Sequence, residues 1–344
     1  MDVNRLGAPE AGEALERAAG ILRTGGLVAL PTETVYGLGA NALDCAAVER
    51  IFAAKSRPAW DPVIVHVESR AMLEGLVEAI PERAQRLIEE FWPGPLTLLL
   101  PRTRAVPDVV TAGRPLVGVR MPSHRVALEL IRRAGIPVAA PSANRFGHTS
   151  PTTAEHVLHD LDGRIDAVVD AGPTQHGVES TVLDPAPDPM VIYRPGAVTA
   201  EQIREIAGAV QLYRDGDLLR ETPAEALPSP GVGIRHYAPG ARLLVIEAPD
   251  GELGQCLADA ASAEGGERVG VMLPAGLAMP PEFAAEQVYA WGVWGAAETL
   301  AQGLYAGLRT LDAAGCTVIL CPLPRAQGIG MAIRDRLKKA GNRA

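Results

Sequence analysis

The sequence predicts an α/β protein of two domains, and three observations carry that prediction. Strand-like and helix-like apolar patterns alternate along most of the chain. The alternation lapses between residues 214 and 240, where Pro, Gly and Glu accumulate, and then restarts. The length, 344 residues, exceeds what one ordinary core accommodates. The expected division is a larger domain over 1–213, a linker over 214–240 and a smaller domain over 241–344.

In the larger domain the β-branched and apolar runs 27–30, 63–67, 96–100, 116–120, 136–140, 167–170, 180–183 and 190–193 read as strands. Asp44 is placed as an N-cap for a helix whose apolar stripe is Val48, Ile51 and Phe52. Ser69 and Pro81 open two more helices, and a further one runs over 123–134 with Gly135 at its exit. A helix over 199–207 closes the domain. Too few residues separate the last strands for crossover helices, so a mixed sheet is expected. Beyond the linker, strands over 243–246, 269–273, 287–289 and 318–321 alternate with helices over 251–263, 295–314 and 328–339. That is the rhythm of a small parallel, doubly wound unit.

Composition narrows the function. Hydrophobic residues make up 47% and charged residues 21%, which is globular usage. The acidic, amphipathic N-terminus lacks a secretory pattern, no apolar run is long enough for a membrane helix, and a cytoplasmic protein is expected. Cys45, Cys256, Cys316 and Cys321 form no C-x-x-C pair, so neither a disulfide framework nor a zinc site is indicated. His156 and His159 share helical spacing but lack a third ligand nearby. A net charge of −9 argues against a strong grip on a nucleic-acid backbone. Any positive field must therefore be local.

Lysine usage locates one such field. The chain has three lysines, two of them the tail pair Lys338 and Lys339, and the third is Lys55. Lys55-Ser56-Arg57-Pro58 sets a compact ammonium beside a planar guanidinium on a proline-fixed backbone, a pairing suited to a polyphosphate. Arg120 and Arg194 each end a strand and add to a focused positive pocket. No P-loop and no G-x-S-x-G elbow occurs. Gly37-Leu38-Gly39-Ala40-Asn41-Ala42 imitates a dinucleotide fingerprint, but the helix cap Asp44 comes only after the motif has ended. Pro31 to Gly39 instead reads as a substrate loop with hydroxyls, a carboxylate and flexible glycines. Pro141-Ser142-Ala143-Asn144 follows a strand and offers hydrogen bonds beside small residues. His66 lies within an apolar strand, where a satisfied core histidine is the usual case.

Taken together, Pro31–Gly39, Lys55–Pro58, Pro141–Asn144, Glu179-Ser180-Thr181-Val182 and Tyr193-Arg194-Pro195-Gly196 resemble the YrdC-type threonylcarbamoyl-adenylate synthase family. Ser229-Pro230-Gly231 and Arg235-His236-Tyr237-Ala238-Pro239, followed by a second α/β unit, are similar to its longer two-domain branch. The resemblance implies a YrdC-like twisted mixed sheet with helices and a smaller Rossmann-like parallel domain. It implies that L-threonine, bicarbonate and ATP yield L-threonylcarbamoyl-adenylate and pyrophosphate, with Mg2+ carried by ATP and no protein metal site. A separate transferase would then modify an adenosine beside the tRNA anticodon. Carried over to this sequence, the family pattern puts threonine near Thr34, His66, Arg120, Ala140 and Ser180. It puts ATP near Lys55, Arg57, Ser142, Asn144, Ser150, Arg194 and Tyr237, with Lys55 and Arg57 offsetting charge on the leaving group. The linker is expected to close as a lid.

Two departures from the family pattern stand out. Asp61-Pro62 replaces the usual Asn-Pro, and Val232-Gly233-Ile234 precedes Arg235 where a cation and an aromatic are usual. A rival reading is an RNA-binding module of the same fold without synthase activity. A second is carbamoyl transfer as in hydrogenase maturation, whose Cys-rich zinc segments are missing here.

Overall fold

The computed structural model describes residues 1–3, 9–213, 229, 236–280 and 287–341. They fall into two units. One comprises Met1–Phe146, Ser150–Gln175 and Glu179–Ile234; the other comprises Gly147–Thr149, His176–Val178 and Arg235–Ala344. Of the expected linker, Ser229 and residues 236–240 are described, so the lid expectation lies mostly outside the described residues.

The first unit opens with α1 (Pro9–Arg23), which buries Ala11, Ala14, Leu15, Ala18, Ala19 and Leu22 at helical spacing. There follow β1 (Val28–Leu30), β2 (Gly37–Asn41), α2 (Cys45–Lys55), β3 (Val65–His66), α3 (Arg70–Glu74) and α4 (Glu82–Phe91). Next come β4 (Leu96–Pro101), α5 (Asp108–Thr111), β5 (Leu116–Arg120), α6 (Arg125–Ala134) and β6 (Val138–Ala139). The unit continues with α7 (Ala154–Leu161), β7 (Ala167–Val168), β8 (Thr181–Asp184), β9 (Met190–Arg194), α8 (Ala200–Ala207) and β10 (Val210–Leu212).

Among the described residues ten strands form one sheet in the order β10-β9-β8-β4-β5-β3-β6-β2-β1-β7. It is mixed, as expected. For example, β3 pairs in parallel with β5, whereas β4 and β5 run antiparallel. Its two faces differ in chemistry. Val65, Leu98, Val117 and Val119 enter the main apolar core with the helices. A side chain added at Gly118 would meet Thr97, Ile64 and Leu99, so these residues share the opposite face. The two-residue period then puts His66, Arg120 and Ser180 on that second face too.

Local signals were sound at the caps. Asp44 accepts from the backbone amides of Ala46 and Ala47, and Ser69 from that of Met72. Thr199 and Gln202 form a reciprocal capping box, and Gly135 exits α6 at φ 67°. Three expectations needed correction. Gly37 and Gly39 are not loop glycines: they lie in β2, paired antiparallel with β1. A Cβ on Gly39 would stand 2.8 Å from Leu30 and 2.9 Å from Val138, so close strand packing explains this glycine. The strand expected over 136–140 shrinks to two residues because Pro137 and Pro141 bracket it. Likewise the strand expected over 63–67 is only Val65–His66.

The second unit follows the predicted rhythm. Strands β11 (Arg242–Ile246), β12 (Val269–Ala275), β13 (Gln287–Val293) and β14 (Val318–Pro322) form a wholly parallel sheet in the order β11-β14-β12-β13. Helices α9 (Asp250–Ala263), α10 (Ala297–Ala313) and α11 (Gly330–Gly341) accompany them. Leu253, Leu257, Val271 and Leu320 anchor one of its cores.

Candidate active site

The site grows from the end of α2. Ser56 takes a left-handed conformation, φ 54°, and the Arg57 amide donates back to Phe52 at 2.9 Å. This turn sends the cations on either side of it into the interior. Lys55, 1% exposed, donates to the carbonyl of Ser142 at 2.5 Å and to that of Asn144. Burial first, and the neighbouring Arg57 charge second, hold its pKa well below the ordinary lysine range. Arg57 lies 2.9 Å from the Asp61 carboxylate and donates to the carbonyls of Pro62 at 2.7 Å and Asp61 at 3.1 Å. Its guanidinium also stands 6.0 Å from the Phe146 ring centroid. Asp61 is fully buried, which pushes its pKa up although Arg57, Lys55 and Arg194 pull the other way.

A second cluster forms where β3 and β5 pair, with His66 directly opposite Arg120. Arg120 donates through Nη1 to Thr34 Oγ1 at 2.9 Å and through Nε to the Gly94 carbonyl at 3.2 Å. Its Nη2 lies 2.6 Å from Glu33 Oε1. Thr32 fixes this end of the loop, sharing a 2.8 Å hydrogen bond with Thr34 Oγ1 and donating to the Val35 carbonyl at 2.6 Å. Burial and the Arg120 charge depress the His66 pKa to about 3, so the ring is neutral at physiological pH. Its Nδ1 is buried without a hydrogen-bond partner.

Ser142, Ala140, Ser180 and Arg194 adjoin these two clusters, and Ser150 and Tyr237 have other partners. Ser142 is held by a bridge to Gly37, and the Ala143 amide donates to the Tyr36 carbonyl at 2.8 Å. Ala140 donates through its amide to Ile64, and its methyl faces Gly37. Ser180 Oγ shares a 2.8 Å hydrogen bond with Thr97 and accepts from Arg194 Nη2 at 3.0 Å. Arg194 Nε also donates to the Ser180 carbonyl. Ser150 donates from Oγ to Glu179 at 2.5 Å. Tyr237 belongs to the second unit. It is 1% exposed, lies under the Arg336 guanidinium at 5.1 Å and stacks on Tyr305 at 6.0 Å.

Four residues enter the site without a role assigned from sequence. Glu33 and Glu179 lay inside quoted motifs, Asp61 stood only as a departure, and Thr97 was one letter of an apolar strand. A signal for Glu33 did exist, since a carboxylate in a loop feeding a strongly apolar chain segment needs a cationic partner. Nothing local names Arg120 as that partner. Among the described residues no group of three or more His, Cys, Asp or Glu side chains could hold a metal ion.

Known proteins resemble this chain along nearly its full length. A family model described as "Telomere recombination", covering Sua5, YciO and YrdC, matches residues 20–196. Another, "Threonylcarbamoyl-AMP synthase, C-terminal domain", matches residues 198–342. The threonylcarbamoyl-AMP synthase of Bacillus subtilis is 45% identical over 95% of this chain and 92% of its own. That of Pyrococcus abyssi is 43% identical over 94% of this chain and 92% of its own. The crystal structure of P. abyssi Sua5 complexed with L-threonine superposes with a TM-score of 0.87 at 42% identity, covering 95% of this chain and 94% of that one. Matched in both units, and along nearly their full length by curated relatives, this chain belongs to the Sua5/YrdC family of threonylcarbamoyl-AMP synthases in its two-domain form.

Proposed function

We propose that this chain joins L-threonine, bicarbonate and ATP into L-threonylcarbamoyl-AMP, releasing pyrophosphate and water. The observation that carries the reading is the pairing of two buried clusters in one unit. Arg120 with Thr34 and His66 suits a hydroxylated amino acid, and Lys55 with Arg57 and Arg194 suits a polyphosphate. The relatives' name and the threonine complex of P. abyssi Sua5 support the same assignment.

Two of the five Arg120 N–H donors are hydrogen-bonded to protein oxygens, through Nε and Nη1, so Nη2 and the second Nη1 proton are left for the threonine carboxylate. Neutral His66 can trade hydrogen bonds with the substrate hydroxyl, and Ser180 and the small Ala140 bound the remaining space. Carboxylation of the amine gives a carbamate, whose oxygen attacks the α-phosphorus in line as pyrophosphate departs. Lys55 and Arg57 offset charge on that leaving group, while Ser142, Asn144, Ser150 and Arg194 hold the nucleotide. The reaction is an adenylyl transfer, and no covalent enzyme intermediate is needed.

Asp61 is engaged by Arg57, so Mg2+ would come in on the ATP phosphates and neutralise part of their charge there. The assignment of Tyr237 to the nucleotide rests on the family resemblance alone. The product is a reactive mixed anhydride, to be consumed by a transferase acting on tRNA beside the anticodon, and the cytoplasm is the compartment this implies. No helix among the described residues is long and apolar enough to cross a membrane. The deciding experiment measures pyrophosphate release with threonine or bicarbonate omitted in turn. Release should require both; release independent of threonine would overturn the proposal.

A further inference from the structure

Glu33 is the one charged group of the threonine cluster for which the reaction as written has no use. Its carboxylate is 2% exposed, and its close neighbour is Arg120 Nη2 at 2.6 Å. A pair serving stability alone would be aligned and closed. This one is neither, because both carboxylate oxygens of Glu33 and Nη2 of Arg120 lack a hydrogen bond of good geometry, the backbone of Glu33 and Ser123 giving the carboxylate only loosely aligned polar contacts. The carboxylate nonetheless stays ionised. Burial is the largest influence and works to raise its pKa, but the Arg120 charge and the polar contacts with Arg120 and the nearby backbone outweigh it. The two imidazoles that feel Glu33 are lowered by burial, His66 and His124 alike, and so bring no competing positive charge. Arg120 and Glu33 therefore form a neutral, buried dipole with unused hydrogen-bonding capacity at both ends.

An α-amino acid is the complementary dipole. Its carboxylate meets Arg120, its ammonium meets Glu33, and the four charges alternate around a closed ring. We propose that Glu33 receives the substrate's α-amino group and thereby selects α-amino acids over carboxylates that lack a donor at the α-carbon. The proposal rests on the reading that the amino acid sits at Arg120. An amine donates N–H to a carboxylate whether protonated or neutral, so the contact survives the loss of the proton that must precede carboxylation. A ligand with a carboxylate but no amine would leave Glu33 buried with only its imperfect contacts to Arg120 and the nearby backbone, and so would be rejected.

The test is calorimetric titration of the full chain with threonine and with its deamino counterpart, 3-hydroxybutanoate of matching configuration. The wild type should prefer threonine by on the order of 100-fold. In Glu33→Gln that preference should collapse toward unity, with threonine itself weakened by a similar factor. Glu33→Asp keeps the charge and the fold while withdrawing the carboxylate by one methylene. It should weaken threonine about tenfold and leave the deamino compound unchanged, so the test stands even if the glutamine variant does not fold. A wild-type preference retained in either variant, while Arg120→Gln abolishes threonine binding, would overturn the role of Glu33 alone. Threonine binding unchanged in Arg120→Gln would overturn the location of the amino acid and this proposal with it.

Discussion

The Lys55 ammonium donates to the Ser142 carbonyl across 87 residues of sequence, tying the end of α2 to the segment that follows β6. One lysine thus does two things: it closes the backbone of the site and supplies charge to it. Lys55→Met and Arg57→Ala should each lower turnover more than tenfold in pyrophosphate release, since a charge-assisted contact is worth about 1.5–3 kcal/mol. Lys55 should also register a proton. Its pKa is held well below the ordinary value by burial and by Arg57, and a bound triphosphate favours the charged form. ATP binding should therefore take up protons above the free-state pKa. The calorimetric enthalpy should vary with the ionisation heat of the buffer in the wild type and not in Lys55→Met. A wild-type enthalpy independent of buffer would exclude the coupling.

His66 should make the fold acid-sensitive. Its pKa falls from 6.5 to about 3 on burial, so the unfolded chain binds the extra proton first. The stability it contributes is present above pH 6.5 and lost progressively as pH falls toward 3. Between pH 7 and pH 5 the loss is about 2 kcal/mol. Urea titrations should show this slope in the wild type and a flatter one in His66→Gln. The same variant should lose about tenfold of the preference for threonine over valine, because the hydroxyl loses its partner.

Asp61→Asn removes the anion from among Lys55, Arg57 and Arg194. The KM for ATP should fall several-fold as the local potential rises. The melting temperature should fall with it, since the buried Arg57 charge loses a partner, a change that costs about 3–5 kcal/mol. An unchanged KM would mean that the triphosphate does not approach this pair.

Gly196→Ala tests the far wall. A Cβ there would stand 2.3 Å from the Thr181 amide nitrogen and 2.5 Å from the Ser180 carbonyl carbon, both of them backbone atoms. The start of β8 must shift, carrying Ser180 with it, at a cost of about 1–3 kcal/mol. Thermal melting and the KM for threonine should both worsen; wild-type values for both would show that the strand yields without consequence.

Much of this was legible in the sequence, and the residues show why. Asp44, Ser69 and Thr199 announced their helices because capping is a contact between near neighbours. Lys55 announced the site by rarity, and the parallel second sheet by its alternating rhythm. The strand β2 was hidden because Gly37 and Gly39 carry no apolar signal, and Gly39 is glycine for the sake of β1 and β6, which lie elsewhere in sequence. The pairings Arg120–Glu33 and Arg57–Asp61 were hidden differently. Each partner is present in a sequence motif, but only the fold says which charge faces which.

The opposition of His66 and Arg120 across paired β3 and β5 also constrains how this site can change over generations. Substitutions there can be tried one at a time, and retained or discarded. An insertion or deletion of a single residue within either strand cannot, because it would turn Val65, Val67 or Val119 toward the ligand and drive a charge into the core. Length variation is therefore confined to the connections, and the spacing of the recognition residues along these strands descends as a unit.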